Sequence, residues 1–225
     1  MLFELPSKYY GQYDAHITNG QSALLNAVSK SIQKTYRATR VGADGQVVVV
    51  RFGDRVKFEV VPAFKNKADS YTYPDSNNGG RWAITNPKPE IEAISTRDAE
   101  CNGNLKWLCR MARAWKSTWN VRLKGLLIDT LAYQFMENWE YRDKSFFYYD
   151  FMSKGFFDYL ANQDKDQEYW RAPGSGQWVW GKELFQWKAR RCYNIAKVAT
   201  AYGLSQKHYS ARKKWAAIYG TAYPK

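Results

Sequence analysis

The sequence has few of the residues that most often bind zinc or act as catalytic bases. Its 225 residues include two histidines, His16 and His208, which stand far apart. The three cysteines, Cys101, Cys109 and Cys192, form no CxxC motif and no Cys/His spacing that would ligate a metal. A zinc site and a histidine-based triad are therefore disfavoured. The odd number of cysteines, all in helical contexts, predicts reduced core thiols.

Long apolar runs are also missing from the sequence. No segment has the ~20 consecutive apolar residues that a transmembrane helix needs, and no signal peptide is visible. We therefore expect a cytoplasmic protein with no membrane partner. Hydrophobic residues make up 45% of the chain and charged residues 24%, which indicates a globular protein and excludes a disordered one.

Positive charge and aromatic rings are both plentiful. Lysine and arginine number 34 against 21 aspartates and glutamates, so the formal net charge is +13. This excess favours a polyanionic partner, which can be a nucleotide, a nucleic acid or an anionic surface. Aromatic residues make up 17% of the chain. Most of them are expected in the core, and some could stack on bases.

Hydrophobic periodicity predicts a β-rich N-terminal third followed by helices. Strand patterns cover residues 1–5, 47–52, 56–64 and 82–85. A turn over residues 53–55 predicts that the second and third of these strands form an antiparallel hairpin. Helical patterns cover residues 22–36, 90–99, 104–120, 123–140, 146–160, 184–202 and 206–219. The helix over residues 123–140 is very apolar and is expected to be largely buried. Residues 163–182 and most of residues 66–89 are rich in turn-forming residues and are predicted to be loops.

The stretch VKFEVVPAF, from Val56 to Phe64, places a carboxylate in a strand that looks half buried. Alternation puts Val56, Phe58 and Val60 on one face of the strand and Glu59 on the other. Two interpretations stay open. The strand face is either a solvated mixture of lysine and glutamate, or a rigid support that holds Glu59 as a metal ligand.

The helix predicted from Asn104 has a basic stripe opposite its apolar face. Lys106, Arg110 and Arg113 follow one another at helical spacings, with Lys116 one step further along. Such a stripe is usually a solvated face. Here it gains weight as an anion-binding surface because it follows a possible metal-site strand.

Five segments, in this order, resemble the SMODS-type cGAS/DncV-like nucleotidyltransferases: MLFELP, VKFEVVPAF, YPDSNNGGRWAITNPKPE, NGNLKWLCRMARAWK and LLIDTLAYQF. The VVPAF and TNPK segments are specific in combination. The resemblance implies an α+β protein with a polymerase-β-like fold. Residues 1–100 would be a partial, N-terminally truncated catalytic domain, and residues 101–225 a helical domain similar to that of the oligoadenylate synthases.

The resemblance also implies an activity. Members of this family join NTPs such as ATP and GTP into cyclic di- or oligonucleotide messengers. In bacterial antiphage (CBASS) signalling these messengers activate a separate effector protein. Two Mg²⁺ ions, held by three carboxylates on adjacent strands, would clamp the attacking hydroxyl and the triphosphate. Glu59 stands at the position of the third carboxylate, where the family most often has aspartate.

The other family carboxylates and the phosphate-binding GS motif have no counterpart in the sequence. The chain begins with the strand that follows the family's DxD motif. Asp44 and Asp54 stand alone in predicted turns, and Asp164 and Asp166 lie in the helical part. We therefore expect an N-terminally truncated nucleotidyltransferase with impaired catalysis.

Further site residues are carried over from the family by position. Substrate-binding roles are implied for Arg110, Arg113 and Lys116 on the basic helix, for Lys124 where the family often has serine, and for Tyr9 and Tyr10 near a base. For the two tyrosines simple packing is an equal alternative.

A second function stays open for the same fold. The missing DxD motif and the net charge of +13 also support a non-catalytic nucleotide- or RNA-binding module. A tRNA- or poly(A)-type nucleotidyltransferase shares the fold, but the VVPAF and TNPK combination argues against it. Nucleic-acid binding is therefore possible but not favoured, and a regulatory protein is a further possible partner.

Overall fold

The computed structural model describes residues 1–54, 56–181 and 184–223. Two positions of the predicted loops, Arg55 and Lys182, lie outside the described residues. The chain divides into two compact units, Met1–Pro87 and Lys88–Lys225. The domain boundary after residue 100 stays a prediction.

The first unit contains a six-stranded mixed sheet. Its strands are β1 (Leu2–Leu5), β2 (Arg40–Asp44), β3 (Val47–Arg51), β4 (Lys57–Lys65), β5 (Tyr71–Asp75) and β6 (Arg81–Thr85). The helices of this unit are α1 (Tyr10–Asp14) and α2 (Gly20–Thr35), with short 3-10 turns at Ser7–Tyr9 and Asn77–Gly79. The strand order is β2-β3-β4-β5-β6 with antiparallel neighbours, and β1 pairs with β4 in parallel.

Strand β4 is the centre of this sheet. It pairs with β3 so that Val49 lies opposite Glu59, and with β1 so that Leu2 lies opposite Val61. The predicted hairpin between residues 47–52 and the start of VKFEVVPAF is confirmed. The strand then continues through Pro62 to its end at Lys65.

Helix α2 supplies the apolar side chains that cover this part of the sheet. Its first turn is capped by Asn19, whose Oδ1 accepts a hydrogen bond from the Ser22 backbone N–H at 2.8 Å. Leu25 is fully buried and forms a cluster with three strand valines, which are Val48, Val50 and Val60. The amphipathic pattern predicted for this helix is confirmed.

The strand face that carries Val56, Phe58 and Val60 is only partly buried. Val56 and Phe58 are 43% and 44% exposed, whereas Val60 is buried. The buried cluster under α2 reaches only as far as Val60. Phe58 packs edge-to-face on Phe52, with ring centroids 5.8 Å apart, and a single contact of this kind leaves much of the ring exposed.

The second unit is helical apart from one small hairpin. Its helices are α3 (Lys88–Glu100), α4 (Asn104–Thr118), α5 (Gly125–Asn138), α6 (Tyr149–Ala161), α7 (Gln186–Leu204) and α8 (His208–Tyr219). The hairpin consists of β7 (Tyr169–Arg171) and β8 (Trp178–Trp180), and 3-10 turns lie at Phe146–Tyr148 and Gly220–Ala222. Each predicted helix is confirmed. The loop predicted over residues 163–182 is wrong where the hairpin strands lie.

The core of the second unit forms around α4 and α5. Trp115 of α4 is fully buried, as are Leu127 and Leu131 of α5. The burial predicted for the apolar α5 is therefore confirmed. The Trp115 indole donates a hydrogen bond to Sγ of Cys192 at 3.2 Å, so the polar edge of this ring is satisfied inside the core.

The three cysteines are free and buried, as predicted. Burial raises the pKa of Cys192 to about 12, and it also raises the pKa values of Cys101 and Cys109. A thiol that is not ionised is neither a good nucleophile nor a metal ligand. Their role in the described structure is packing.

The whole chain has the α+β composition that the sequence predicts, with the helices concentrated after the sheet. None of the described helices is both long enough and apolar enough to span a membrane. Cytoplasmic localisation stays a prediction.

Candidate functional site

Glu59 lies on the exposed face in the first half of β4. Its side chain is 54% exposed, and its Oε1 accepts a hydrogen bond from Nζ of Lys57 at 2.5 Å. This hydrogen bond and the charge of Lys57 lower the pKa of Glu59, so the carboxylate is ionised at neutral pH. The backbone oxygen of Glu59 accepts a second hydrogen bond, from the Met1 amino group at 2.7 Å.

The charged groups nearest to Glu59 do not form a metal site among the described residues. The charges that act on its carboxylate are basic, namely Lys57, the Met1 amino group and Arg51. Within residues 1–54, 56–181 and 184–223, no group of three or more histidine, cysteine, aspartate or glutamate side chains could hold a metal ion. These surroundings do not fit a pair of Mg²⁺ ions, and the metal-ligand role of Glu59 stays a prediction.

The two candidate base-contacting tyrosines have different surroundings. Tyr9 is 43% exposed, and Nζ of Lys8 lies 5.1 Å from its ring centroid. Tyr10 packs against Phe64 and Trp82, with centroid distances of 5.4 and 5.0 Å. The ring of Tyr10 is therefore part of the packing of the first unit, whereas the ring of Tyr9 is accessible.

Arg113 of α4 is held in place by two hydrogen bonds. Its Nη2 donates to Oδ2 of Asp129 on α5 at 2.7 Å, and its Nη1 donates to the Cys109 backbone oxygen at 3.1 Å. The Asp129 hydrogen bond raises the pKa of Arg113. Nη2 would lie 3.7 Å from a Cβ added at Gly125, so the guanidinium is next to the first turn of α5.

The other basic candidates lie along α4 and at the start of α5. Arg110 is exposed, and its guanidinium lies 4.5 Å from the Trp107 ring centroid. Lys116 is half-buried in the last turn of α4. Lys124 is exposed at the N-cap position of α5, beside the Gly125 that Arg113 approaches. The structure therefore brings Arg113 and Lys124 to the same end of α5.

Lys124 also lines a cavity of about 930 Å³ within the second unit. The lining combines basic, acidic, amide and aromatic side chains, chiefly those of Lys165, Asp166, Glu168, Trp170, Trp180 and Gln186. Of these residues, sequence reasoning selected only Lys124 as a candidate for binding. The remaining ones follow from the three-dimensional arrangement.

The residues that sequence reasoning missed belong to the β7–β8 hairpin. Tyr169 pairs with Trp180 and Arg171 with Trp178, which puts these four side chains on one face. A signal for this hairpin is present in the sequence. Aromatic residues alternate in WVW and are adjacent in YWR, and the segment APGSGQ between them can turn.

Comparison with known proteins gives a family match for the first part of the chain. Residues 1–98 match the model of the SMODS domain, the Second Messenger Oligonucleotide or Dinucleotide Synthetase domain. Among curated proteins, no match to this chain is found.

Solved structures of the dinucleotide cyclase DncV have the same fold. A double mutant of the Vibrio cholerae protein superposes with a TM-score of 0.76 at 12% identity, covering 100% of this chain and 63% of that one. Apo Vibrio cholerae DncV has a TM-score of 0.70 at 15% identity, covering 89% and 56%. The 3′-deoxy GTP-bound Escherichia coli DncV has a TM-score of 0.68 at 12% identity, covering 91% and 58%. The chain thus spans about three fifths of these proteins.

Proposed function

Because residues 1–98 belong to the SMODS-type cGAS/DncV-like nucleotidyltransferase family, we propose that this protein acts in the synthesis of a cyclic di- or oligonucleotide second messenger from NTPs. The family match carries this proposal, since it spans all of the first unit, including the Glu59 strand. DncV structures with bound GTP, and with ATP and GTP together, support NTPs as the substrates. Bacterial antiphage (CBASS) signalling to an effector protein is the proposed setting.

In this proposal the basic residues of the second unit bind the triphosphate. Arg110, Arg113, Lys116 and Lys124 are the candidates, and each can donate hydrogen bonds to phosphate oxygens. Arg113 keeps three further N–H donors beyond the two that hold it, so its contacts with Asp129 and Cys109 leave it able to bind phosphate. The Asp129 contact also fixes its orientation.

A non-catalytic nucleotide-binding module on the same fold is the second candidate function. The observation that favours it is the ion pair of Glu59 with Lys57, which engages one oxygen of the carboxylate that a metal would need. The described residues supply no cluster of three metal-ligating side chains. The described residues therefore support no catalytic step through Mg²⁺. The Mg²⁺ dependence of the synthase activity is itself proposed.

One experiment separates the two functions. The purified protein is incubated with radiolabelled ATP and GTP, with Mg²⁺ or with EDTA, and the nucleotides are separated by thin-layer chromatography. A synthase forms a phosphatase-resistant product only with Mg²⁺, and Glu59→Gln reduces that product to background while Glu4→Gln, an exposed carboxylate on β1, does not. If no product forms but ATP still binds in EDTA, the binding module is the better account.

A further inference from the structure

The β7–β8 hairpin has an aromatic face that the fold does not bury. Tyr169 and Trp178 stack with centroids 4.6 Å apart and planes 9° apart, and Trp180 lies 5.4 Å from Tyr169. The exposed fractions of these three side chains are 40%, 49% and 40%. The guanidinium of Arg171 lies 5.0 Å from the Trp178 centroid. Adjacent accessible rings with a cation are the usual components of a base-stacking surface.

The opposite face of the hairpin attaches it to the core of the second unit. Its opposite face carries Trp170 and Val179, which are 3% and 4% exposed and belong to the main core of the unit. The turn between the strands is tied to α3, because Ser175 Oγ and Gln177 Nε2 both donate to Oε1 of Glu90 at 2.6 Å. The exposed rings therefore stand on a fixed support, which reduces the entropy lost when a ligand binds.

The cavity of about 930 Å³ described above is lined by Trp180 and by Gln186. Gln186 lines this cavity and is 4% exposed. Its Nε2 donates to the Asp164 backbone oxygen at 3.1 Å, but among the described residues its Oε1 accepts no hydrogen bond. This oxygen is closed to solvent, so a ligand can reach it only after the amide has turned toward the cavity. A buried acceptor without a partner is unfavourable, and a ligand N–H would satisfy it in the turned position.

Charged side chains at the rim complete the cavity. Lys124 and Lys165 can bind a phosphate, whereas Asp166 and Glu168 repel a second one. This mixture suits a ligand with an aromatic body, an N–H donor and a limited number of phosphates near the two lysines. A nucleobase with its attached phosphate has all three properties.

We propose that this cavity and the adjoining aromatic face form a nucleobase-binding site for a free mononucleotide or for the end of a short single-stranded oligonucleotide. The base stacks on Trp180, and Lys124 and Lys165 contact the phosphate. The amide of Gln186 turns toward the cavity, so that its Oε1 accepts a hydrogen bond from an N–H of the base. The proposal rests on the proposed function only for its class of ligand. The site lies within the second unit and does not use Glu59, but it shares Lys124 with the candidates for triphosphate binding.

Fluorescence anisotropy in EDTA tests this site with two probes, ATP carrying an N-methylanthraniloyl group and a fluorescein-labelled oligoadenylate of five nucleotides. Trp180→Ala should weaken binding about tenfold or more, since stacking on one ring typically contributes that much. Trp180→Phe should retain most of the affinity, and Gln186→Met should weaken binding. Tyr209→Ala, an exposed ring on α8 that stacks against Lys213, is the control and should bind as the wild type does.

The two probes distinguish the source of the ligand. Stronger binding of ATP identifies a mononucleotide site, and stronger binding of the oligoadenylate identifies a strand end. The proposal is overturned if neither probe binds, or if folded Trp180→Ala and Gln186→Met bind both probes as the wild type does. Glu59→Gln should bind normally, so a loss of turnover in that variant concerns the synthase function and not this site.

Discussion

At the scale of single residues, Asp75 is a buried carboxylate of the first unit whose pKa is lowered. It is 3% exposed, and burial alone would raise its pKa. Hydrogen bonds from the backbone of Asn77, from Arg81 and from the Asn77 side chain outweigh that effect and lower the pKa of Asp75 to about 2. The ionised form is therefore favoured by folding.

This shift predicts a pH-dependent effect of Asp75→Asn. Because the folded pKa is below the unfolded one, Asp75 stabilises the protein above its unfolded pKa of ~3.9, and this contribution is lost as pH falls toward 2. The variant should melt below the wild type at pH 7, and the difference should shrink between pH 4 and pH 2. Thermal melts followed by circular dichroism measure this difference.

The control is Asp69→Asn, at an exposed partner of Lys65, and its melting temperature should change little at either pH. An Asp75→Asn difference that stays constant with pH would contradict the assignment.

The candidate site shows what a residue pattern can and cannot predict. The alternation in VKFEVVPAF placed Glu59 on a strand and away from the buried face, and the structure has it there. The same alternation puts Lys57 on that face two residues earlier, which is the spacing at which their side chains meet. The sequence pattern could not select Gln186. Whether a buried amide has hydrogen-bond partners depends on groups that are distant in sequence.

At the scale of elements, the turn of the β7–β8 hairpin depends on a glycine that approaches α3. Gly174 has a φ of +76°, and a Cβ added there would lie 2.1 Å from the Pro89 backbone oxygen. Gly176, two residues later, has a φ of +65°, but a Cβ there would meet nothing within 4 Å. The two glycines thus share a backbone conformation and differ in steric surroundings.

Alanine substitutions should separate these two effects. Gly176→Ala should lower the free energy of unfolding by about 1 kcal/mol, the usual cost of a left-handed conformation in a residue with a Cβ. Gly174→Ala should cost that amount plus roughly 1–3 kcal/mol, because α3 or the turn must move to relieve the overlap. Urea unfolding followed by circular dichroism gives both values. Equal losses of unfolding free energy in the two variants would mean that the turn can move away from α3 at no further cost.

The elements themselves differed in how well the sequence predicted them. Helices such as α4 and α5 were predicted because many apolar residues repeat at helical spacing over four turns. Strands β7 and β8 have three residues each, too few for alternation to outweigh the proline and glycines between them. Strand β2, with the sequence RVGAD, has almost no apolar pattern and is defined by its pairing with β3.

At the scale of the whole molecule, the composition predicted a polyanionic partner but not the site at which it binds. The net charge of +13 is spread over both units, and many of the cations are already engaged with aromatic rings. Arg110 with Trp107, Arg171 with Trp178 and Lys213 with Tyr209 are examples. Counting lysines and arginines could not show which of them flank a cavity, because that depends on the arrangement of α5, α7 and the hairpin.

The division into two units predicts that they unfold separately. The cluster beneath α2 in the first unit contains few buried residues, whereas the cluster of the second unit extends over α4 to α8. Buried apolar area is the main source of stability, so residues 1–87 should lose hydrogen-exchange protection at a lower guanidinium concentration than residues 88–225. Exchange measured by mass spectrometry across a denaturant series tests this directly.

Tryptophan fluorescence gives an independent measure of the same behaviour. Of the 10 tryptophans only Trp82 lies in the first unit, so fluorescence should follow the second, more stable unit. The fluorescence midpoint should therefore lie at a higher guanidinium concentration than the first loss of exchange protection, and Trp82→Phe should leave it nearly unchanged. If fluorescence and exchange in both units instead share one midpoint, the chain unfolds in a single cooperative step. In that case the stability of the sheet around Glu59 cannot be separated from that of the helices, and substitutions in the second unit would have to be controlled for unfolding of the first.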